Sequence, residues 1–182
     1  IGSASTIQVA DGAINLSSTA NTAATTATSS LGGIVLTGAS GSLAVVKATG
    51  TGSITMNGTV GDVSNWESTG FDGGKSTGVQ INRYSAVTTA SGDISLTGTT
   101  GNLTQTSFPS TGSMTGVDTL GYYGVRIGDA ANAAGSQPTV SAGGNGNITI
   151  TGTSGISTIN YGTYVEGGTI ATANGTISIT GT

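Results

Sequence analysis

The sequence predicts an all-β chain wound as a triangular parallel β-helix, a β-solenoid of about six rungs carrying inserted loops. Three observations predict it. A short unit recurs: "GSITMNGTVG" at Gly52, "GDISLTGTTG" at Gly92 and "GNITITGTSG" at Gly146, with "GGIVLTGASG" at Gly32, "GTISITGT" at Gly175 and the looser "GAINLSS" at Gly12. Inside each copy apolar and small polar residues alternate, the period of a strand with one face in and the other out. Gly, Thr and Ser supply 33, 34 and 23 of the 182 residues, while only 7% are charged and 4% aromatic. Ordinary soluble domains carry about 25% charged residues. With 2 Pro, and with Ile, Val and Leu regularly spaced, this low complexity reads as architecture rather than as a disordered tract.

The first glycines of the copies stand at 12, 32, 52, 92, 146 and 175, in steps of 20, 20, 40, 54 and 29. Twenty residues suit a minimal solenoid turn, and the longer steps suit the same turn with insertions. Alternation places Ile14/Leu16, Ile34/Leu36, Ile54/Met56, Ile94/Leu96, Ile148/Ile150 and Ile177/Ile179 inward. Small polar residues such as Thr55/Asn57, Ser95/Thr97, Thr149/Thr151 and Ser178/Thr180 face outward. The closing glycines Gly38, Gly58, Gly98, Gly152 and Gly181 suit a corner that needs positive φ or a close backbone approach.

A second strand precedes the first by 7 or 8 residues, at Ile7, Val46, Val87, Val140 and Ile170; the rung at Ile34 lacks a clear partner. A third strand is read in "GVQI" at Gly78, "GVRI" at Gly124 and "GTYV" at Gly162, with Val79/Ile81, Val125/Ile127 and Thr163/Val165 inward. Stacked at roughly 4.8 Å, six rungs span about 25–30 Å. Such a coil satisfies its backbone between turns and shares one narrow core that no single turn could bury alone.

"INYGTYVEGGTIATANGTISITGT", Ile159 to Thr182, and "TGVQINRYSAVTTASGDISLTGTTG", Thr77 to Gly101, resemble the strand repeats of very large bacterial surface proteins of the filamentous-haemagglutinin and autotransporter-adhesin type. The resemblance covers most of the chain. It implies a right-handed, single-stranded parallel β-helix, export to the cell surface and adhesive or stalk-like use. The Asn-Pro motifs of the two-partner secretion domain and a membrane-anchoring barrel are not seen in the sequence. Because the chain opens on Ile1 and stops within a repeat at Thr182, it is expected to be one segment, residues 1–182, of a longer repeat chain on the bacterial surface or outside the cell. Its partners are then further copies or further turns of the same rod, end to end, together with neighbouring cell surfaces or glycans.

Composition narrows the chemistry. Lys47, Lys75, Arg83 and Arg126 stand far apart against 8 acidic residues, at a pI near 4.2, which does not fit nucleic-acid binding. No run approaches the roughly 20 apolar residues that span a bilayer. Cysteine is absent, which removes disulfides and thiolate sites. A polysaccharide-binding or -degrading β-helix is the alternative, but lyases and glycosidases of that kind need two carboxylates close together, or acids with Ca²⁺ and a basic residue on one face, whereas Asp11, Asp62, Glu67, Asp72, Asp93, Asp118, Asp129 and Glu166 fall at different points of the repeat and there is no His. Neither catalysis nor a cofactor is therefore expected. "SAGGNGNITI" departs from the Ca²⁺-binding nonapeptide because Ile148 stands where that motif has Asp, so no metal is expected either.

Specific recognition is expected in the inserts near 61–78, 102–123 and 128–139. The first holds Asp62, Trp66, Glu67, Phe71 and Asp72, a candidate sugar platform or weak Ca²⁺ loop, or else a long loop pinned by Trp66 and Phe71. Asn-x-Ser/Thr matches at Asn15, Asn57, Asn102, Asn147 and Asn174 are of the kind a Thr-rich chain produces by chance. Tyr122, Tyr123, Tyr161 and Tyr164 mark strand starts and are expected to cover core ends. The outward Thr149/Thr151 pattern raises ice binding by a flat hydroxyl array, which Val35 and Asn57 would interrupt.

Overall fold

A computed structural model of the chain describes residues 1–20, 26–27, 31–63, 65–66, 76–102, 121–128, 135–157 and 159–182. Among them the regular elements are all strands: β1 (Thr6–Val9), β2 (Ile14–Ala20), β3 (Thr26–Ala27), β4 (Leu31–Leu36), β5 (Ala44–Ala48), β6 (Ile54–Val60), β7 (Asn65–Trp66) and β8 (Ser76–Ile81). They continue with β9 (Ser85–Thr89), β10 (Ile94–Thr100), β11 (Gly121–Gly128), β12 (Thr139–Ala142), β13 (Ile148–Thr153), β14 (Ile159–Glu166), β15 (Thr169–Thr172) and β16 (Ile177–Gly181).

Fourteen of these strands form three parallel sheets, or walls. The first is ordered β1-β5-β9-β12-β15, the second β2-β6-β10-β13-β16 and the third β4-β8-β11-β14, while β3 and β7 pair separately. The chain visits the walls in rotation, and each strand pairs with the equivalent strand of the next circuit, as in a solenoid. Registry follows the alternation. Ile14, Ile54, Ile94, Ile148 and Ile177 form one column, with Leu16, Met56, Leu96, Ile150 and Ile179 beside it. Ile7, Val46, Val87, Val140 and Ile170 align in the first wall.

One segment lies elsewhere than expected. "GGIVLTG" pairs with β8, placing Ile34 on Val79 and Leu36 on Ile81 in the third wall. The expectation of about six rungs counted this segment within the second wall, which holds five strands. The step from Ile14 to its neighbour Ile54 is thus one circuit of 40 residues rather than two of 20. The missing partner of the Ile34 rung is explained: its inward face is the third side of the first circuit.

The three inner faces meet in one core. Ile34, Leu36, Val46, Ile54, Met56, Val79, Ile81, Val87, Ile94, Leu96, Val125, Ile127, Val140, Ile148 and Ile150 are buried in a single hydrophobic cluster. Ile177 and Ile179 keep the inward register but are 43% and 48% exposed, because β16 is an edge strand with no strand beyond it. Val165, in register with Ile127 on the edge strand β14, is 42% exposed for the same reason. At the opposite edge Ile1, Ile7, Leu16 and Ile34 line a recess of about 370 Å³.

The closing glycines are explained by close approach rather than by φ. Gly58, Gly98 and Gly152 are not among the positive-φ glycines, which are Gly41, Gly128, Gly135, Gly144 and Gly167 in the described residues. A Cβ on Gly98 would lie 1.9 Å from the carbonyl oxygen of Gly124. Wall two and wall three therefore touch backbone to backbone, and only a residue without Cβ allows it.

Candidate functional site

The acids decide first what the surface can do. Asp11 Oδ1 accepts hydrogen bonds from the Thr51 backbone N–H at 2.9 Å and the Thr51 hydroxyl at 3.2 Å, one circuit on. Asp93 Oδ1 accepts from the Asn147 backbone N–H at 2.7 Å and from Asn147 Nδ2 at 3.2 Å. Asn147 Oδ1 in turn accepts from the N–H and hydroxyl of Thr176, both at 2.9 Å. At the far end of the second wall Asp62 Oδ1 accepts from the Asn102 N–H at 2.7 Å, and Asn102 Oδ1 accepts from the Ile156 N–H at 2.9 Å. These Asp and Asn side chains staple successive circuits at both corners, giving corner N–H groups the acceptors that a strand ladder would otherwise supply.

The predicted loop site is only partly in view. Asp62 is an exposed corner staple, and Trp66 contributes backbone to β7 opposite Ala27. Glu67, Phe71 and Asp72 lie outside the described residues, as do 103–120 and 129–134 of the other two inserts. The described residues hold no group of three or more His, Cys, Asp or Glu side chains able to grip a metal. No helix among them is long and apolar enough to cross a membrane.

The outer face of the second wall is a regular polar array. Asn15, Thr55, Ser95, Thr149 and Ser178 form one column, Ser17, Asn57, Thr97, Thr151 and Thr180 a second, and Thr19, Thr59, Thr99 and Thr153 a third. Val35 does not interrupt it, since that residue belongs to the third wall beside Gln80.

The third wall carries an aromatic and charged cluster that the sequence reading did not assemble. The Tyr123 and Tyr161 rings stack with centroids 5.5 Å apart and planes 8° from parallel. Tyr164 tilts against both, at 5.4 Å from Tyr123 and 4.8 Å from Tyr161. The Arg126 guanidinium lies 5.2 Å from the Tyr123 centroid, and its Nη2 is 3.3 Å from Glu166 Oε2. Because Val125 and Ile127 point inward, Arg126 and the paired Tyr164 point outward. Contact with Tyr164 and Arg126 puts the Tyr123 and Tyr161 rings on the same outer face, so these three form an outer patch rather than covers for core ends. Burial raises the Tyr123 phenol above its usual range against an opposing pull from Arg126. A signal for the cluster was present: "YGVRIG" and "YGTYVE" align when the third strands are paired, but the residues are 38 apart in sequence.

Tyr122 faces the other way and is fully buried. Among the described residues its hydroxyl has no hydrogen-bond partner, nor do those of buried Ser76, Thr77 and Thr100. Burial, reinforced by the nearby Asp62 charge, pushes the Tyr122 pKa up to about 12.

The geometry thus defines a class, an all-β protein of three stacked parallel walls with stapled corners and a patterned outer surface. Comparison with known proteins finds no matching family model, and no curated protein or solved structure that matches significantly.

Proposed function

We propose that this chain is a non-catalytic rod segment of a bacterial surface or secreted protein, a right-handed single-stranded parallel β-helix that serves as a stalk or adhesive filament outside the cell. One observation carries the reading: strands 29 to 54 residues apart in sequence stack in register around one continuous core. A stack of this kind extends by adding identical turns, each burying its predecessor's inner face, which is a means of making length. Right-handedness follows from the rule for parallel crossover connections. The partners are further turns or copies of the rod at its edge strands, and neighbouring surfaces or glycans along its sides. Asp11, Asp62 and Asp93 support a structural rather than a catalytic use of the acids, since each is engaged in joining circuits. The test is to label intact cells producing the parent protein with antibody to this segment. Surface labelling of thin filaments is expected, and label found only after lysis would overturn the proposal.

The second wall favours one further reading, because relocation of Val35 leaves Asn15 and Asn57 as the departures from hydroxyl residues among the three columns. A lattice with repeats of roughly 4.8 Å along the axis and about 6.7 Å along the strands is the feature that favours ordering of water on ice. Thermal hysteresis of the purified chain would support that reading, and its absence at millimolar concentration would eliminate it.

A further inference from the structure

We propose that the outer face of the second wall is a docking surface for a second copy of this chain, so that rods pair side by side along it. The proposal rests on the rod reading for its biological use, but its chemistry stands on the wall itself. Four observations combine. The three outer columns hold only Thr, Ser and Asn, without one charged residue, in a chain of net charge −4. The other two walls do carry charge outside: Lys47 on the first, and Arg126 with Glu166 on the third. None of the column residues is buried, and among the described residues their side chains take a single hydrogen bond, from Thr182 to Thr153. Finally, β6, β10 and β13 each have a neighbouring strand on both sides, so the face is complete in the middle of the stack and owes nothing to either edge.

A symmetric pair sets the same patch of one copy against that of the other. Like charges repel in that arrangement, so two negatively charged copies approach best on a face that brings no charges together. A hydroxyl both donates and accepts, and its hydrogen rotates to suit, so Thr and Ser can bond Thr and Ser; the Asn amide likewise carries both functions. Spacing completes the match. Two copies share the rung repeat of roughly 4.8 Å, so rows that meet at one circuit stay in phase at the next, whereas a surface of another period drifts out of step. The columns span about 450 Å² on each copy, about 900 Å² for a pair, short of the roughly 1,200 Å² at which standard interfaces begin. Pairing of this chain alone is therefore weak, and each further circuit adds about 90 Å² per copy. Residual repulsion comes from the acids at the wall's two borders, Asp11 and Asp93 at one and Asp62 at the other, and salt screens it.

The experiment is sedimentation equilibrium of the purified 182-residue chain at concentrations up to the millimolar range. A monomer–dimer equilibrium with Kd of about 0.1–1 mM is expected, tightening about threefold when salt is raised from about 0.05 M to about 0.5 M. Thr97→Lys, in the middle column and the middle strand of the wall, sets like charges close together and should weaken pairing at least about tenfold. Thr88→Lys places the same charge in the same circuit but on the outside of the first wall, and should pair within about twofold of the parent. Circular dichroism checks that both variants are folded. The proposal is overturned if the chain stays monomeric at millimolar concentration, if salt weakens the dimer, or if folded Thr97→Lys pairs as tightly as Thr88→Lys. That last result would assign the association to the edge strands instead. Surface labelling of cells is independent of sedimentation, so a docking face that fails leaves the rod reading standing and the converse also holds.

Discussion

Gly98→Ala tests the three-walled architecture at a point where two walls meet backbone to backbone. The added methyl would lie 1.9 Å from Gly124 O, 2.6 Å from Gly124 C and 2.9 Å from Val79 N, all backbone atoms of the third wall. Real Cβ contacts essentially never fall below 3.0 Å, so the second and third walls must part by more than an ångström at this rung. No side chain can rotate to absorb that. Leu96 and Thr99 on either side are held by ladder bonds to β6 and β13, and Val125 packs in the core beside Gly124. Overpacking that side chains can relieve costs about 1–3 kcal/mol; here the displaced groups are backbone, and we expect at least about 4 kcal/mol, in the exceptional range for a single substitution. With a urea m-value near 2 kcal/mol/M the midpoint should fall by about 2 M. Gly2→Ala is the control, since nothing lies within 4 Å of the added Cβ, and its midpoint should not move. A Gly98→Ala shift of less than about 0.5 M would refute the backbone contact between the walls.

Leu96→Ala removes a fully buried side chain held between Met56 and Ile150, and should cost about 3–5 kcal/mol in chemical denaturation. Asp93→Ala deprives the Asn147 N–H of its acceptor and should cost about 1–2 kcal/mol, with Asp93→Asn recovering part of it through the amide oxygen; equal losses for both would show that charge rather than the hydrogen bond matters. Tyr122→Phe deletes a buried hydroxyl that has no partner, so thermal unfolding should show no loss of stability, or a gain of up to about 1 kcal/mol. The same phenol governs alkaline behaviour. Its folded pKa, about 12, stands above the ordinary tyrosine value of 10.0, so the folded state keeps a proton that the unfolded state has lost. Stability is therefore full below pH 10 and falls between pH 10 and 12, by at most about 2–3 kcal/mol from this group. Tyr122→Phe should flatten that part of the pH profile, and an unchanged slope would assign it elsewhere.

Strand existence and facing were legible because alternation with period two is a local property. Ile54, Met56, Ile94, Leu96, Ile148 and Ile150 declare their face within five or six residues, and the structure buries all of them. The wall to which a strand belongs is not local. "GGIVLTG" at Gly32 has the same pattern as "GSITMNG" at Gly52 because both need two inward apolar residues beside a glycine, so pattern alone cannot separate the third wall from the second. What separates them is closure of the circuit, a property of residues 40 apart such as Ile14 and Ile54. The corner acids failed to announce their role for the same reason. Asp11 and Asp93 look scattered along the chain, but each aims at an N–H one circuit later.

The tyrosine cluster shows how such a scaffold can assemble a composite outer surface without a dedicated loop. Each strand of the third wall contributes only one outward position before its inward glycine and one or two after it, too few to make a site. Pairing β11 with β14 brings Tyr123 to Tyr161 and Arg126 to Tyr164, and the diagonal adds Glu166, so two circuits make what neither holds alone. Registry is fixed inside by Val125 and Ile127 and at the corner by Gly124 against Gly152. Substitutions on the outside can therefore vary while the core holds them in place: a one-residue slip would turn every inward residue outward and is opposed by the whole buried column. A change at Tyr161 is thus expected to cost the fold little, whereas a change at Gly124 must force the second and third walls apart.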